Sequence, residues 1–126
     1  MVVTAHIPLL GQFNATTGTT GLFRSCSGFD EAEIIVNVTT LTGTSPTVTP
    51  ILEGFMEYGS QFAGSTQVYT IFTFTLISAV GNATKLLGKT TDPALPRNIR
   101  CRTTTTGTIT ALSISVEMQL RATSGS

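Results

Sequence analysis

The most regular stretch of the chain lies near its C-terminus, where Leu112, Ile114, Val116, Met118 and Leu120 alternate with Ser113, Ser115, Glu117, Gln119 and Arg121. A two-residue period sends alternate side chains to opposite faces, so residues 112–120 read as a strand with one face on a core and one in water. Residues 33–40 repeat the pattern, with Ile34, Val36 and Val38 sharing a face. Residues 68–77 carry large apolar groups on both faces, which predicts a central strand or one covered on both sides. Residues 48–58 form a fourth strand. Pro50 lies inside it, and since proline cannot donate a ladder bond it predicts an edge position or a bulge. Weaker strand patterns occupy residues 2–7, 19–25, 84–87 and 98–104. With Gly, Pro, Asn and Ser clustered between the runs, about eight short strands are expected, arranged as a single antiparallel β-sandwich or jelly roll spanning residues 1–126. The fold class is all-β.

Helix signals are almost missing. Only Ser27-Gly-Phe-Asp-Glu-Ala-Glu offers a cap with acidic residues behind it, and a solvated turn is the simpler reading of Asp30, Glu31 and Glu33. An internal echo links residues 38–48 to 102–112. Each has a Thr-rich run, then Gly-Thr, then an alternating strand, with Gly43 and Gly107 at matching places. Both glycines are expected to take positive φ and to close hairpins stacked in equivalent positions of two sheets.

Composition sharpens this picture. Threonine supplies about a fifth of the residues, and β-branched side chains suit pleated, half-buried surfaces. Seven basic and seven acidic residues cancel. Without a basic excess there is nothing to displace counterions from nucleic-acid phosphates or to dock on an anionic membrane. No apolar run is long enough to span a bilayer and no leader pattern is read, so no membrane partner is expected. A near-zero charge also favours association with other protein surfaces.

Candidate chemistry is sparse. His6 stands alone, with no metal-ligand spacing around it. Cys26 and Cys101 read as reduced, buried thiols, with a disulfide as the alternative. Glu53 and Glu57 would make a glycosidase pair only if a partner faced them across a cleft. Asn14, Asn37 and Asn82 each open an Asn-x-Thr sequon, a weak hint of secretion that the mid-strand place of Asn37 argues against. Arg97, Arg100 and Arg102 are the one basic concentration and are expected to edge a strand or pair with a partner's carboxylates. No nucleophile, base and orienting group can be assembled, so no enzyme, cofactor or metal is expected. The N-terminal residues 1–28 combine Gly-rich, flexible stretches with apolar Ile7, Leu9, Leu10, Phe13, Leu22 and Phe23. They are read either as an arm that orders against a neighbour or as the first strand of the sandwich. On the arm reading, deleting residues 1–14 leaves the sheet intact and weakens association.

The run Ile35-Val-Asn-Val-Thr-Thr-Leu-Thr-Gly-Thr-Ser-Pro-Thr-Val, followed by Leu95-Pro-Arg-Asn-Ile-Arg and by Gly107-Thr108, resembles a pattern in small β-sandwich virion structural proteins of tailed bacteriophages. The resemblance covers about residues 30–122, and its motifs are turn chemistry. The chain departs from the pattern at Tyr58-Gly-Ser-Gln, where an acidic turn and a Trp usually follow. The resemblance implies a head decoration protein that binds the assembled lattice and stabilises it, or else a neck or tail component. It further implies a major capsid protein or other virion protein as partner, a homo-oligomer with a trimer favoured, and a place in the virion after assembly in the host cytoplasm. A carbohydrate- or receptor-binding module is the alternative. Its lack of Trp platforms weighs against it. The partner-contact candidates are Ile7, Leu9, Leu10, Phe13, Arg97, Arg100 and Arg102.

Overall fold

A computed structural model describes residues 2–56 and 67–123. Six strands follow one another: β1 (Val2–Ala15), β2 (Arg24–Ser25), β3 (Glu31–Met56), β4 (Gln67–Thr73), β5 (Gly81–Gly88) and β6 (Asn98–Thr123). Every pairing between them is antiparallel. The segment with the helix-cap signal instead makes a turn, in which Phe29 N–H donates to Cys26 C=O at 3.2 Å, and then enters β3.

Two strands of 26 residues each, β3 and β6, carry the architecture. They run side by side from Glu31↔Arg121 to Gly54↔Ile99. The first half of β3 takes β5 on its other side, and the second half of β6 takes β1, giving a layer ordered β1-β6-β3-β5. The remaining halves take β4 and β2, giving a second layer ordered β2-β6-β3-β4. One continuous ladder thus folds over itself into a sandwich, as strands do when they switch sheets through bends and bulges. Counted by layer, the expected eight strand segments are present, because each long strand serves twice.

The bend falls where the sequence echoes itself. Gly43 has φ +141° and Gly107 φ +75°, as the motif predicts. They do not close hairpins, however. Gly43 lies opposite Ile109, Thr44 opposite Thr108 and Thr47 opposite Thr106, with register shifts on both sides of Gly43. The two Thr-Gly-Thr segments therefore pair with each other. Thr42 and Thr110 hydroxyls hydrogen-bond at 2.8 Å, and Thr47 and Thr106 are bonded likewise. Cross-strand Thr pairs of this kind each stabilise a ladder by a fraction of a kcal/mol, roughly 0.2–1. The hairpin expectation failed because turn chemistry looks the same at a corner as at a chain reversal.

The core lies between the layers. From β3 it takes Ala32, Ile34, Val36, Val38, Val48 and Leu52. From β6 it takes Ile99, Cys101, Leu112, Ile114, Val116, Met118 and Leu120. These are the positions that the two-residue period selects. Contact between layers is direct: the Cys26 thiol lies 3.7 Å from Met118 Sδ, and Lys85 Nζ stands 4.5 Å from the centre of the Phe72 ring. Lys85 pairs in register with fully buried Ile34, so it is an inward-pointing charge on edge strand β5, a device that discourages stray strand pairing.

Two strand expectations need correction. The run at 68–77 is not central. β4 ends at Thr73 and is the outermost strand of its layer, with Tyr69 exposed. Its second apolar face reflects side chains packed at the sandwich end, such as Tyr69, whose ring lies where a Cβ on Gly54 would stand. Pro50, by contrast, sits in central β3. Its carbonyl accepts from Phe74 N–H at 3.0 Å, and Val48 and Ile77 form an isolated bridge. Between those two contacts the β4 ladder is broken, and a missing N–H costs nothing there.

Candidate functional site

The chemistry of the chain gathers on the outer face of the second layer. Glu53 lies opposite Arg100 in register, and Ile51 opposite Arg102, so the alternation of β3 and β6 brings one carboxylate between two guanidinium groups. Arg100 Nε donates to Glu53 Oε1 at 2.8 Å, and Arg102 Nε donates to Oε2 at 2.9 Å. The Glu53 side chain is only 9% exposed, while the arginines keep 24% and 33% of theirs in contact with solvent. Phe23 closes the cluster. Its ring lies 4.6 Å below the Arg100 guanidinium and 5.7 Å from the ring of Phe55.

Burial pushes the Glu53 carboxyl upward, but the hydrogen bonds and positive charges of Arg100 and Arg102 outweigh it and hold the group below the usual glutamate range. A carboxyl depressed in the folded state stabilises the protein above its unfolded pKa, and that stabilisation is lost as the pH falls through the folded value. Glu53→Gln should lower stability near neutral pH by roughly 2 kcal/mol, less than for a fully buried pair because both arginines reach solvent. The gap between wild type and variant should then close as the pH falls below the ordinary glutamate range, which melting curves from pH 7 to pH 3 would reveal. A gap that stays constant with pH would show that the ion pairs contribute nothing.

With both oxygens engaged, Glu53 is no free general acid or base. Glu57, its conceivable glycosidase partner, and the turn at Tyr58 lie outside the described residues. Two of the three acidic residues around the start of β3 are also engaged: Asp30 pairs with Lys89 at 3.2 Å, and Glu31 with Arg121. His6 meets Glu117 at 3.1 Å on the exposed face of the first layer. Among the described residues no three His, Cys, Asp or Glu side chains converge as metal ligands would.

The partner-contact candidates separate cleanly. Leu9 and Leu10 are buried at 4% and 7% exposure, and half-buried Ile7 packs against the core. Residues 2–15 form β1, paired with β6. Phe13, on the same strand, is 83% exposed. Arg100 and Arg102 pair with Glu53 of their own chain through Nε, and the Arg97 carbonyl accepts a 2.6 Å backbone bond from Cys26 N–H. Phe55 entered no sequence reading, whereas Leu22 and Phe23 stood out only as apolar residues of the N-terminal stretch. Only the fold brings Phe23 and Phe55 together, and it leaves Leu22 73% exposed.

No protein-family model matches this sequence, and no curated protein matches it. Solved structures do share its fold. A chain from Bacillus endospore appendages, a family of disulfide-linked pili, superposes with a TM-score of 0.54 at 20% identity, over 98% of this chain and 88% of that one. A chain of infectious bursal disease virus, Gx strain, gives 0.51 at 9% identity over 99% of this chain and 34% of the other. A chain from the T13 particle of the same virus gives 0.50 at 9% identity, covering 98% and 32%. This chain spans about a third of those two viral chains. The likeness is one of fold, an antiparallel β-sandwich found in a pilus and in virus particles.

Proposed function

We propose that this chain is a non-enzymatic structural subunit that works by packing against copies of itself. The observation that carries this reading is the pair of apolar flanks. On the β1/β2 side stand Phe13 and Leu22, beside a groove of about 440 Å³ lined in part by Leu9, Leu10 and Gly21. On the β4/β5 side stand Leu76 and Val80, at 51% and 63% exposure. Large apolar groups on opposite flanks, under a zero net charge, suit a surface that is covered in use. Different patches meeting head to tail generate rings or open filaments. Both kinds of fold neighbour are parts of larger assemblies, which agrees with this role.

Within that class we favour a virion component, a decoration protein on a capsid lattice, on the strength of the Gly43-Thr-Ser-Pro and Leu95-Pro-Arg resemblance. A fibre subunit is the second reading, favoured by near full-length likeness to the pilus chain. Electron microscopy of the purified protein, alone and after incubation with the parent particles, separates them. Decoration predicts co-sedimentation with assembled particles, and a fibre subunit predicts filaments without them. A chain that stays monomeric at millimolar concentration and binds no particle would end both.

Thiol chemistry has no part in this packing. Cys26 and Cys101 are free, buried at 3% and 0% exposure, and burial pushes their thiols up to about 11 and about 12. A thiol so protonated and enclosed is a poor nucleophile. Iodoacetamide at pH 8 should therefore leave the native protein unlabelled and label both cysteines after denaturation, and assemblies should survive reductant. Rapid native labelling would contradict the burial.

A further inference from the structure

The outer faces of the two layers carry opposite charge. On the first layer Glu31, Glu33 and Glu117 are met by Arg121 and His6. Glu33 itself has no ion-pair partner among the described residues. It lines a groove of about 150 Å³ with Thr4, Glu31, Leu86, Gln119 and Arg121. Leu86, half exposed, gives that groove an apolar lip. On the second layer Arg100 and Arg102 outnumber Glu53. Each spends its Nε–H on the carboxylate, which leaves the terminal amines of two oriented guanidinium groups for a further acceptor. Phe23 adds an aromatic surface beneath one of them.

We infer that the Arg100–Arg102 face of one copy docks on the Glu33 groove of a second copy, so that the sandwiches stack layer to layer. The occupant is a second copy because the same chain holds both halves of the match. One face has guanidinium donors and an aromatic ring. The other has an unpaired carboxylate, a groove with room for a guanidinium and an exposed leucine. The two faces are of opposite sign, so each partly neutralises the other on contact. Since the two faces differ, each copy keeps one of each kind open and stacking continues head to tail. The pairing is electrostatic at its rim, so salt weakens it. This inference rests on the self-association proposed above and specifies one of its contacts.

The test uses sedimentation velocity on the full-length chain and two variants, Glu33→Lys and Arg102→Gln, with circular dichroism to verify folding. Glu33 is exposed and unpaired, so its variant should fold normally. Each variant alone should associate about tenfold more weakly than wild type. A mixture of the two should associate more strongly than either variant alone, because each retains the face that the other has lost. Wild-type association should fall between 50 mM and 500 mM salt. If wild type associates but Glu33→Lys associates equally well, layer stacking is wrong while self-association through the flanks stands. If wild type remains monomeric, both readings fall.

Discussion

Deleting residues 2–14 should abolish the folded state. This reverses the outcome expected for a detachable arm. β1 pairs with β6 from Val2↔Thr123 to Ala15↔Leu112, with only two irregularities. It buries Leu9 and Leu10 and shields Val116, Met118 and Leu120, all at 0% exposure. Each leucine is worth roughly 1.5–3 kcal/mol by burial. Exposure of the three β6 side chains adds a similar amount again, so the total is on the order of 10 kcal/mol. Whole domains have only about 5–15 kcal/mol to lose. The truncated chain should show no cooperative melting transition and should aggregate through the bared edge of β6. A truncated protein that retains its sheet signal and melts cooperatively would restore the arm reading.

The second large effect is expected at the corner. Gly107→Ala should destabilise by about 3 kcal/mol or more, because two penalties coincide. Its φ of +75° costs an L-residue about 1–2 kcal/mol. A Cβ there would also fall on the backbone carbonyl oxygens of Ser45 and Thr44, which belong to the paired strand and cannot step aside. Gly43→Ala should behave similarly, since its Cβ would strike the Thr108 carbonyl. Gly28 supplies the control. Its φ is +87°, but nothing lies within 4 Å of a Cβ, so Gly28→Ala should cost only the backbone penalty of about 1 kcal/mol. In thermal melts the corner variants should lose more than about 10 °C and the control a few degrees. Equal losses at Gly28 and Gly107 would show that backbone conformation alone, and not strand approach, selects glycine at the corner.

The alternating runs 33–40 and 112–120 were legible because period-two patterning is a local consequence of pleating, and both stand where expected in β3 and β6. Positive φ at Gly43 and Gly107 was legible for the same reason, since the demand for glycine is written one residue at a time. What those glycines do was not. A bend within a strand and a reversal between strands use the same residue, and only the pairing of Thr44 with Thr108 distinguishes them. Leu9 and Leu10 carried the right chemistry for either an arm or a core, and their burial beside β6 could not be read locally. The Glu53–Arg100–Arg102 cluster lay furthest from view. Its members are about fifty positions apart, and nothing local specifies that register. The sequence by itself determined the all-β class, the inward faces of residues 33–40 and 112–120, and the positive φ of Gly43 and Gly107. The tertiary structure alone decided which strands join, which charges meet and which apolar groups remain outside, because these depend on contacts between segments distant in the chain.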